Sequence, residues 1–550
     1  MKDSPWFKSY PSYVPHEIDA DHFKNLLELF DKSISKFKDL TAFVNMNGSL
    51  TYGELDELSD AFGWYLQHEI GLKKGDRIAI QMPNLLQFPV AMFGAMKAGL
   101  IIVNTNPLYT SQEMRHQFND AGVKALVILE NFASNLQQII AETKIERVIV
   151  ARIGDMLGFK GHIVNFVVKY VKKMVPAYHL EKSVMFKDVL SQSKGKKPVR
   201  PEVLSSDTVF LQYTGGTTGV SKGAELTHRN ICANMEMIDA WIGNQFTDGK
   251  EVIITALPLY HIFALTANCI TFLSIGAKNI LITNPRDMKA FLGEFKKYPP
   301  TYFTGVNTLF NGMMNQPQFM DLDFSKLKVS LGGGMAVQEA IAKRWKEKTG
   351  GDLLEGYGLS ETSPVAVVSP TDGSHRIGWI GLPVPSTDIK IMDDDGREVP
   401  LGEQGEIAIK GPQVMKGYWN RPDETEKVFK DGYFYSGDIG VMNEDGFVKI
   451  VDRKKEMINV SGFKVFPSEV EAVIAGHPKV LEVGVKSCPD DKTTEAVKAF
   501  IVKKDPTLTP EEIVEFCKDK LTSYKIPKHI VFRDELPKSN VGKILRRLME

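Results

Sequence analysis

The sequence predicts an α/β protein with a large N-terminal domain of parallel-type sheets, and three observations carry this prediction. From about residue 25 to residue 370, short apolar segments alternate with helical patterns, as in parallel sheets covered by helices. After about residue 380 the pattern changes to short strands separated by Asp/Gly turns. Beyond Arg453 follows a compact α+β unit. Because 550 residues are too many for one core, we expect at least two domains.

The first half of the chain supplies clear strand and helix signals. Residues 77–81 and 125–129 are short apolar runs and are predicted strands, as are residues 209–211. Residues 87–99 are predicted to form a helix that ends at Gly99, because glycine is favoured just past a helix C-terminus. This order of elements is typical of a parallel sheet.

Two turn signals define a small β-rich subdomain at about residues 380–450. Residues 393–396 are Asp-Asp-Asp-Gly, and residues 444–446 are Glu-Asp-Gly. We therefore divide the chain into an N-terminal domain of residues 1–453 and a C-terminal domain of residues 454–550. The two domains meet at a dense run of charged residues between two apolar strands. Taken alone, such a run is typical of a solvated turn.

Composition restricts the function classes. The chain is 43% hydrophobic and 25% charged, as in globular proteins, and its net charge of −1 gives no field toward nucleic acid. Four cysteines without Cys-x-x-Cys spacing favour neither a zinc site nor a disulfide framework, and they suit a reducing cytosol. The N-terminus lacks a signal peptide's apolar core, and no run of about 18 apolar residues occurs. We expect a cytoplasmic protein.

One segment departs from this charge balance. Residues 151–200 contain 11 Lys or Arg against 3 Asp or Glu. Within them, residues 161–176 combine apolar residues with lysines, a composition that suits a helix lying on anionic lipid. This interpretation places the protein peripherally on the inner face of a membrane. A surface element packed on the protein, with solvated lysines, fits the same residues, and both alternatives stay open.

The most informative motif is residues 213–223, Tyr-Thr-Gly-Gly-Thr-Thr-Gly-Val-Ser-Lys-Gly, which follow a predicted strand. Four glycines leave backbone N–H groups free to approach a ligand, and the hydroxyls and Lys222 add donors for phosphate oxygens. The spacing is not that of a Walker A loop, because Gly223 follows Lys222. The motif predicts an ATP site outside the P-loop fold.

Together with four later motifs, this loop resembles the adenylate-forming superfamily of acyl-CoA synthetases, luciferases and peptide-synthetase adenylation domains. The later motifs are EGYGLSE at 355–361, YSGD at 435–438, VDRKKEMINVSGFKVFPSEVE at 451–471 and PKSNVGKILRR at 537–547. Three further segments, at 304–313, 331–337 and 378–388, are similar to bacterial long-chain-fatty-acid–CoA ligases. The resemblance implies activation of a fatty acid by ATP to acyl-AMP with release of pyrophosphate, then transfer to CoA.

The resemblance also implies roles around ATP and Mg²⁺. Tyr357 stacks on adenine, and Asp438 and Arg453 hold the ribose. Ser360 bonds the α-phosphate where many relatives carry Thr, and Glu361 holds the metal ion. The expected nucleotide-binding residues are Thr214, Gly215, Gly216, Thr217, Thr218, Gly219, Lys222, Gly333, Gly334, Glu355, Gly356, Tyr357, Asp438 and Arg453.

The remaining implied residues serve the two reaction steps. Attack of a carboxylate on a phosphate joins two anions, so the site must supply positive charge, and the resemblance assigns this to Lys543. His261 resembles a gate beside the substrate carboxylate, although a core histidine fits it as well. Ser461 and Gly462 are implied to line the CoA arm after the C-terminal domain rotates about a hinge near Lys455.

Substrate size is the least determined feature. A set of apolar residues is a candidate acyl tunnel or ordinary core: Phe263, Leu265, Val306, Leu309 and Phe310. A medium-chain or aryl-CoA ligase and an enzyme that loads an acyl carrier protein remain alternatives within the superfamily. A non-catalytic lipid-binding relative and a luciferase-like oxygenase are the other classes. The oligomeric state is open, with a dimer among the alternatives.

Overall fold

The computed structural model describes residues 4–214, 221–490, 492–539 and 542–550. These residues form two large mixed sheets, one small antiparallel sheet and a separate C-terminal sheet. The predicted α/β class, with large N-terminal sheets and a smaller C-terminal domain, is confirmed.

The first large sheet has nine strands among the described residues, and its six central strands run parallel. Antiparallel strands close both edges. In spatial order the strands are Leu382–Pro383, Val365–Val368, Leu353–Gly358, Val329–Gly333, Tyr302–Gly305, Val252–Thr255, Lys278–Leu281, Thr41–Asn45 and Gly48–Thr51.

The second large sheet has eight strands in the same part of the chain, and six of them run parallel. Two antiparallel strands extend the edge beside the Gly-rich motif. In spatial order the strands are Gly417–Tyr418, Lys222–Thr227, Thr208–Thr214, Ile101–Asn104, Arg77–Gln81, Val123–Leu129, Arg147–Ala151 and Ser183–Met185.

Helices cover these sheets, and several begin at threonine caps whose side chain accepts a backbone N–H three residues on. Their buried apolar faces join the sheets in several cores: the largest, a second that includes the helix Ser111–Ala121, and a separate core at the C-terminal sheet. The α-helices are Leu26–Phe37, Tyr52–His68, Gln87–Lys97, Ser111–Ala121, Ala133–Gln137, Gly158–Phe166, Phe186–Gln192, His228–Ile242, Ile262–Ala264, Thr271–Ser274, Met288–Lys297, Asn307–Met314, Glu339–Thr349, Pro422–Val428, Pro467–Ala475 and Pro510–Lys518.

The small antiparallel sheet follows the two large ones in the chain. Its strands alternate buried and exposed residues, so one face packs on the core. Two turns that close on Gly396 and Gly446 match the predicted turn signals. The strands are Asp388–Met392, Gln404–Lys410, Phe429–Lys430, Tyr433–Met442 and Val448–Arg453.

The C-terminal sheet has an apolar core of its own, to which the last two helices contribute. A short helical turn, Lys454–Glu456, connects it to the small antiparallel sheet. Lys454 lies 2.7 Å from Asp394 of that sheet. The strands are Ile458–Val460, Phe463–Val465, Val480–Asp490, Thr494–Lys503 and His529–Arg533.

The local predictions agree closely with the observed elements. The strand at residues 77–81 has the predicted bounds, and the strand predicted at 125–129 begins two residues earlier. The helix predicted to reach Gly99 ends at Lys97, and Gly99 has the left-handed φ of +74° that stops it. Among the described residues, no helix has the length and apolar character needed to cross a bilayer.

Candidate active site

A buried carboxylate lies at the centre of the site. Asp438 is 4% exposed, and its two oxygens are held from opposite sides. The Tyr357 hydroxyl donates to Oδ2 at 2.8 Å, and the Arg453 Nε lies 2.9 Å from Oδ1 in an ion pair. Burial raises the pKa of the Asp438 carboxyl, and the charges of Arg453 and Lys543 oppose this shift. The residues expected to bind ribose and adenine therefore form one connected group.

The C-terminal domain contributes Lys543 to this group. Burial lowers the pKa of the Lys543 ammonium, the charge of Arg453 lowers it further, and Asp438 opposes both. The same lysine also lowers the pKa of His261. A residue seven positions from the C-terminus thus shares a pocket with residues of the N-terminal domain.

A tight turn positions Lys543. Its N–H donates to the Ser539 Oγ at 3.1 Å, and its carbonyl accepts the Ser539 N–H at 2.7 Å. The preceding residue, Gly542, has a φ of +81°, and its carbonyl accepts the Thr308 hydroxyl at 3.2 Å. A Cβ at Gly542 would lie 2.6 Å from the Thr308 Oγ1, so the close approach of the two domains requires glycine here.

His261 precedes the short helix Ile262–Ala264, and its Nδ1 accepts the Phe263 N–H at 3.3 Å. Burial lowers the pKa of the imidazole to about 4, and the charge of Lys543 acts in the same direction. The ring is therefore neutral at pH 7. A neutral histidine beside the lysine offers a hydrogen-bonding group without adding charge.

Glycines leave room on the other side of the pocket. Gly333 and Gly356 are paired on adjacent strands, and a Cβ on Gly333 would lie 2.8 Å from the Phe263 ring. Gly334 has a left-handed φ of +77°. Glu355 lies beneath them, where its carboxylate accepts the Val337 N–H at 2.9 Å. Burial raises the pKa of Glu355 to about 7.

Glu361 and Lys222 are linked through Tyr418, which the sequence analysis did not identify. Ser360 and Glu361 share the short helical turn Ser360–Thr362. Glu361 is 7% exposed, its carboxylate accepts the Tyr418 hydroxyl at 2.8 Å, and burial raises the pKa of Glu361.

The Lys222 ammonium lies 4.9 Å from the centre of the Tyr418 ring and pairs with Glu424. Tyr418 and Glu424 lie in no motif: the pairing of the strand Gly417–Tyr418 brings Tyr418 to the site, and Glu424 comes from the helix Pro422–Val428 that follows.

Some predicted site residues are not part of this cluster. Ser461 and Gly462 form the exposed tip of the hairpin Ile458–Val465, with φ values of +52° and +88°. The Ser461 N–H donates to the Thr493 carbonyl within the C-terminal domain. Thr214 ends its strand beside the Gly-rich motif. The following residues lie outside the described part of the chain: Gly215, Gly216, Thr217, Thr218 and Gly219.

The five apolar tunnel candidates differ in their surroundings. Leu265 and Phe310 are fully buried, and Phe310 packs edge-on against Trp345 with ring centres 4.9 Å apart. These two belong to the core. Phe263 is half-buried beside Gly333 in the pocket. An acyl tunnel through these residues stays a prediction.

Comparison with known families identifies the family of the chain. The model of the family described as AMP-binding enzyme matches residues 30–419, and that of the AMP-binding enzyme C-terminal domain matches residues 469–543. The chain belongs to the family of AMP-binding enzymes. Among curated proteins, it is 54% identical to a long-chain-fatty-acid–CoA ligase of Escherichia coli O6:H1, over 98% of this chain and 97% of that protein.

Two solved structures of one protein, MatB from Rhodopseudomonas palustris, bear on the arrangement of the domains. The ATP-bound form has a TM-score of 0.81 at 26% identity and covers 95% of this chain and 98% of its own. The apo form has a TM-score of 0.70 at the same identity and covers 94% and 97%. At equal sequence identity, this chain is therefore more similar in overall geometry to the ATP-bound form than to the apo form.

Proposed function

We propose that this protein is an AMP-forming long-chain-fatty-acid–CoA ligase. It activates a fatty acid with ATP to acyl-AMP, releases pyrophosphate, and transfers the acyl group to the thiol of CoA. The placement of Lys543 beside Asp438, Arg453 and His261 carries the proposal, since a motif from the C-terminus meets the nucleotide motifs in one pocket. The near-full-length identity to a ligase with this name supports the acyl class.

The first step brings a carboxylate against the α-phosphate, and positive charge must offset their repulsion. Lys543 supplies positive charge in this pocket, and burial strengthens the electrostatic effect of that charge. We assign it to the carboxylate and the α-phosphate together. The neutral His261 beside it orients the acid, and Ser360 adds a hydroxyl at the α-phosphate.

The nucleotide is held by groups that the fold has already arranged. We assign the ribose to Asp438 and Arg453, whose ion pair helps to hold the carboxylate in place for two vicinal hydroxyls. Tyr357 and the glycine backbone at 333, 334 and 356 frame the adenine. Glu355 supports this frame through its bond to the Val337 N–H. Lys222 and the Gly-rich motif bind the outer phosphates.

Glu361 is the residue that would hold Mg²⁺. Its carboxylate is buried and anchored by one hydrogen bond from Tyr418. Within residues 4–214, 221–490, 492–539 and 542–550, the structure groups no three His, Cys, Asp or Glu side chains as a metal cage. One carboxylate completed by phosphate oxygens is the arrangement that Mg²⁺ favours. The ion would neutralise phosphate charge.

The second step needs the CoA thiol at the same pocket. We assign the exposed hairpin tip, Ser461 and Gly462, to the arm of CoA, which requires the C-terminal domain to rotate about a hinge near Lys455. In the present arrangement Lys543 is in the pocket and this hairpin faces solvent. The arrangement is therefore the one that suits the first step.

A substrate matrix tests the proposal. Purified protein is given ATP, Mg²⁺ and fatty acids from short to long chain, with benzoate included, and either CoA or acyl carrier protein as the acceptor. We expect AMP, pyrophosphate and a CoA thioester, with the highest kcat/KM for long chains. Each buried methylene adds about 0.8 kcal/mol of binding. A maximum at short or aromatic acids would overturn the long-chain assignment, and acylation of the carrier protein alone would overturn CoA as acceptor.

We also propose a peripheral contact with anionic lipid through the helix Gly158–Phe166 and its continuation, Val167–Val171. Phe159, Ile163, Phe166 and Tyr170 are 83%, 57%, 58% and 61% exposed. Their spacing of four, three and four residues places them on one face of the helix. A helix on a globular protein ordinarily turns such a face inward.

The opposite face of this helix explains why the apolar face points outward. Gly161 packs against Gly154 so closely that a Cβ on Gly161 would lie 1.8 Å from the Gly154 carbonyl oxygen. One turn later, the Asn165 Oδ1 accepts the Gly154 N–H at 2.7 Å. The helix is thus fixed by its small and polar residues and presents aromatic residues outward. Flanking lysines give the surface its charge: Lys160, Lys169, Lys172 and Lys173.

Vesicle sedimentation tests this surface. The wild type is expected to sediment with vesicles of phosphatidylglycerol and less with phosphatidylcholine, because Lys residues contribute about 1 kcal/mol each near an anionic surface. Replacing Phe159 and Phe166 by Ser should abolish sedimentation while ligase activity on dissolved substrate remains. Val199→Ser is the matched control, since Val199 is 72% exposed elsewhere. Unchanged sedimentation of the double variant would contradict the proposal.

A further inference from the structure

Arg546 lies three residues after Lys543, and its side chain is only 16% exposed. It is fixed to the helix Pro467–Ala475 of its own domain. Its Nε and Nη2 donate to the two oxygens of Glu471 at 2.9 and 2.7 Å, and Nη2 also donates to the Ser468 Oγ at 2.9 Å. Two parallel hydrogen bonds of this kind set both the position and the plane of the guanidinium group.

The remaining guanidinium nitrogen reaches the other side of the junction. Nη1 donates to the Asp452 Oδ1 at 3.2 Å and also bonds Glu456 of the connecting turn. Asp452 belongs to the strand Val448–Arg453 of the small antiparallel sheet, and its side chain is 2% exposed. Its second oxygen accepts the Ser468 N–H at 2.7 Å. One buried carboxylate thus holds the C-terminal domain at two points.

Asp452 and Arg546 each lie close in sequence to a residue of the pocket. Asp452 immediately precedes Arg453, which bonds Asp438, and Arg546 is in the same C-terminal segment as Lys543. If the Asp452–Arg546 contact opens, the C-terminal segment loses a fixed point next to the lysine. Rotation of the domain about the turn Lys454–Glu456 must break this contact, while the bonds from Arg546 to Glu471 can persist.

We propose that Arg546 is a positioning residue which, with Asp452, latches the C-terminal domain in the orientation that brings Lys543 to the ATP site. The inference rests on the proposed two-step function, because the latch favours adenylation over thioester formation. Arg546 acts in this way without touching a substrate. Its planar guanidinium group has several donors and therefore suits the contact with Asp452 better than a lysine ammonium.

Separate assays of the two half-reactions test the latch. The first follows exchange of labelled pyrophosphate into ATP with oleate, and the second follows thioester formation from synthetic oleoyl-AMP and CoA. The variants are Arg546→Lys, which loses the paired hydrogen bonds to Glu471, and Asp452→Asn, which removes the carboxylate charge and replaces one acceptor oxygen by an amide donor. Arg547→Lys is the matched control, because Arg547 is the adjacent exposed arginine. Thermal melting checks that each variant is folded.

We expect both latch variants to lower the exchange rate by about tenfold or more, as misplacement of a catalytic group by about 1 Å does. Thioester formation from oleoyl-AMP should stay within about twofold of wild type or increase, and the control should change neither rate. An equal loss in both assays, or no loss in either, overturns the latch. A wild type that lacks both reactions overturns the proposed function instead, so the two failures are distinguishable.

Discussion

Asp438 and Arg453 face each other on adjacent antiparallel strands and form an ion pair, with the Arg453 Nε 2.9 Å from the Asp438 Oδ1. The register of the two strands creates this pair, although 15 positions separate the residues in sequence. Arg453 ends the last strand before the turn that leads into the C-terminal domain. The ribose contacts therefore lie next to the junction about which we propose that the domain moves.

Loss of the Asp438 charge should weaken ATP binding more than acid binding. We expect Asp438→Asn to lower kcat/KM for ATP by about 10- to 100-fold, which corresponds to a charge-assisted hydrogen bond of about 1.5–3 kcal/mol. Tyr357→Phe removes only the hydrogen bond from the Tyr357 hydroxyl to Asp438 and should cost less. Initial rates with ATP varied at saturating fatty acid measure both effects. A larger effect on the KM for fatty acid than on the KM for ATP would contradict the assignment of Asp438 to the ribose.

Lys543→Ala should separate the two half-reactions. Acyl-AMP formation should fall by about 10²- to 10³-fold, because an electrostatic contact aimed at the developing charge is removed. Thioester formation from supplied acyl-AMP should remain. Lys538→Ala is the matched control from the same motif, since Lys538 pairs with Glu482 at 2.6 Å. Equal losses in both steps for Lys543→Ala would refute the assigned role.

Glu355 should give the folded protein a pH-dependent stability. Burial raises the pKa of its carboxyl to about 7 from its usual value of 4.5, so the folded state holds this proton at pH values where the unfolded state has released it. The contribution of Glu355 to stability therefore decreases as pH rises through this window. We expect Glu355→Gln to match the wild type in melting temperature near about pH 5 and to exceed it near about pH 8. A constant difference between the two pH values would contradict the shift.

The ion pair between Lys222 and Glu424 competes with the proposed phosphate contact of Lys222. The pKa of Glu424 is lowered to about 2, chiefly by its hydrogen bond to Lys222. We expect Glu424→Gln to lower the KM for ATP, because Lys222 then no longer has to break an ion pair before it binds phosphate. Lys222→Ala should raise the same KM. Titration with ATP at two salt concentrations measures this, and the effect of Glu424→Gln should shrink in high salt. An unchanged KM in both variants would remove Lys222 from the phosphate site.

Local sequence determined much of the fold and most of the candidate site. The strand at residues 77–81 and the stop at Gly99 follow from apolar patterning and from the φ that glycine allows. Asp438, Glu361 and Lys543 became candidates because each lies in a short motif that resembles a motif of the adenylate-forming superfamily. Their convergence in space was implied by resemblance alone, because no local pattern encodes it.

Other functional contacts could not be predicted from local patterns. Tyr418 reaches Glu361 from 57 residues away, and Arg546 reaches Asp452 from 94 residues away. Such pairs depend on the register of strands and the docking of domains, which propensities do not determine. The outward face of the helix Gly158–Phe166 is a similar case. Periodicity identifies an apolar face, but the Gly154–Gly161 contact decides which way it points.

The most direct test of the central claim is fatty-acid-dependent exchange of labelled pyrophosphate into ATP by the purified protein with Mg²⁺ and oleate. This reaction needs only the first half-reaction and its reversal, so it examines the pocket around Lys543, Asp438 and Glu361 without CoA. We predict label in ATP when oleate is present, and none when oleate is omitted or Lys543 is replaced by Ala. Absence of exchange by the folded wild-type protein under these conditions would contradict the account.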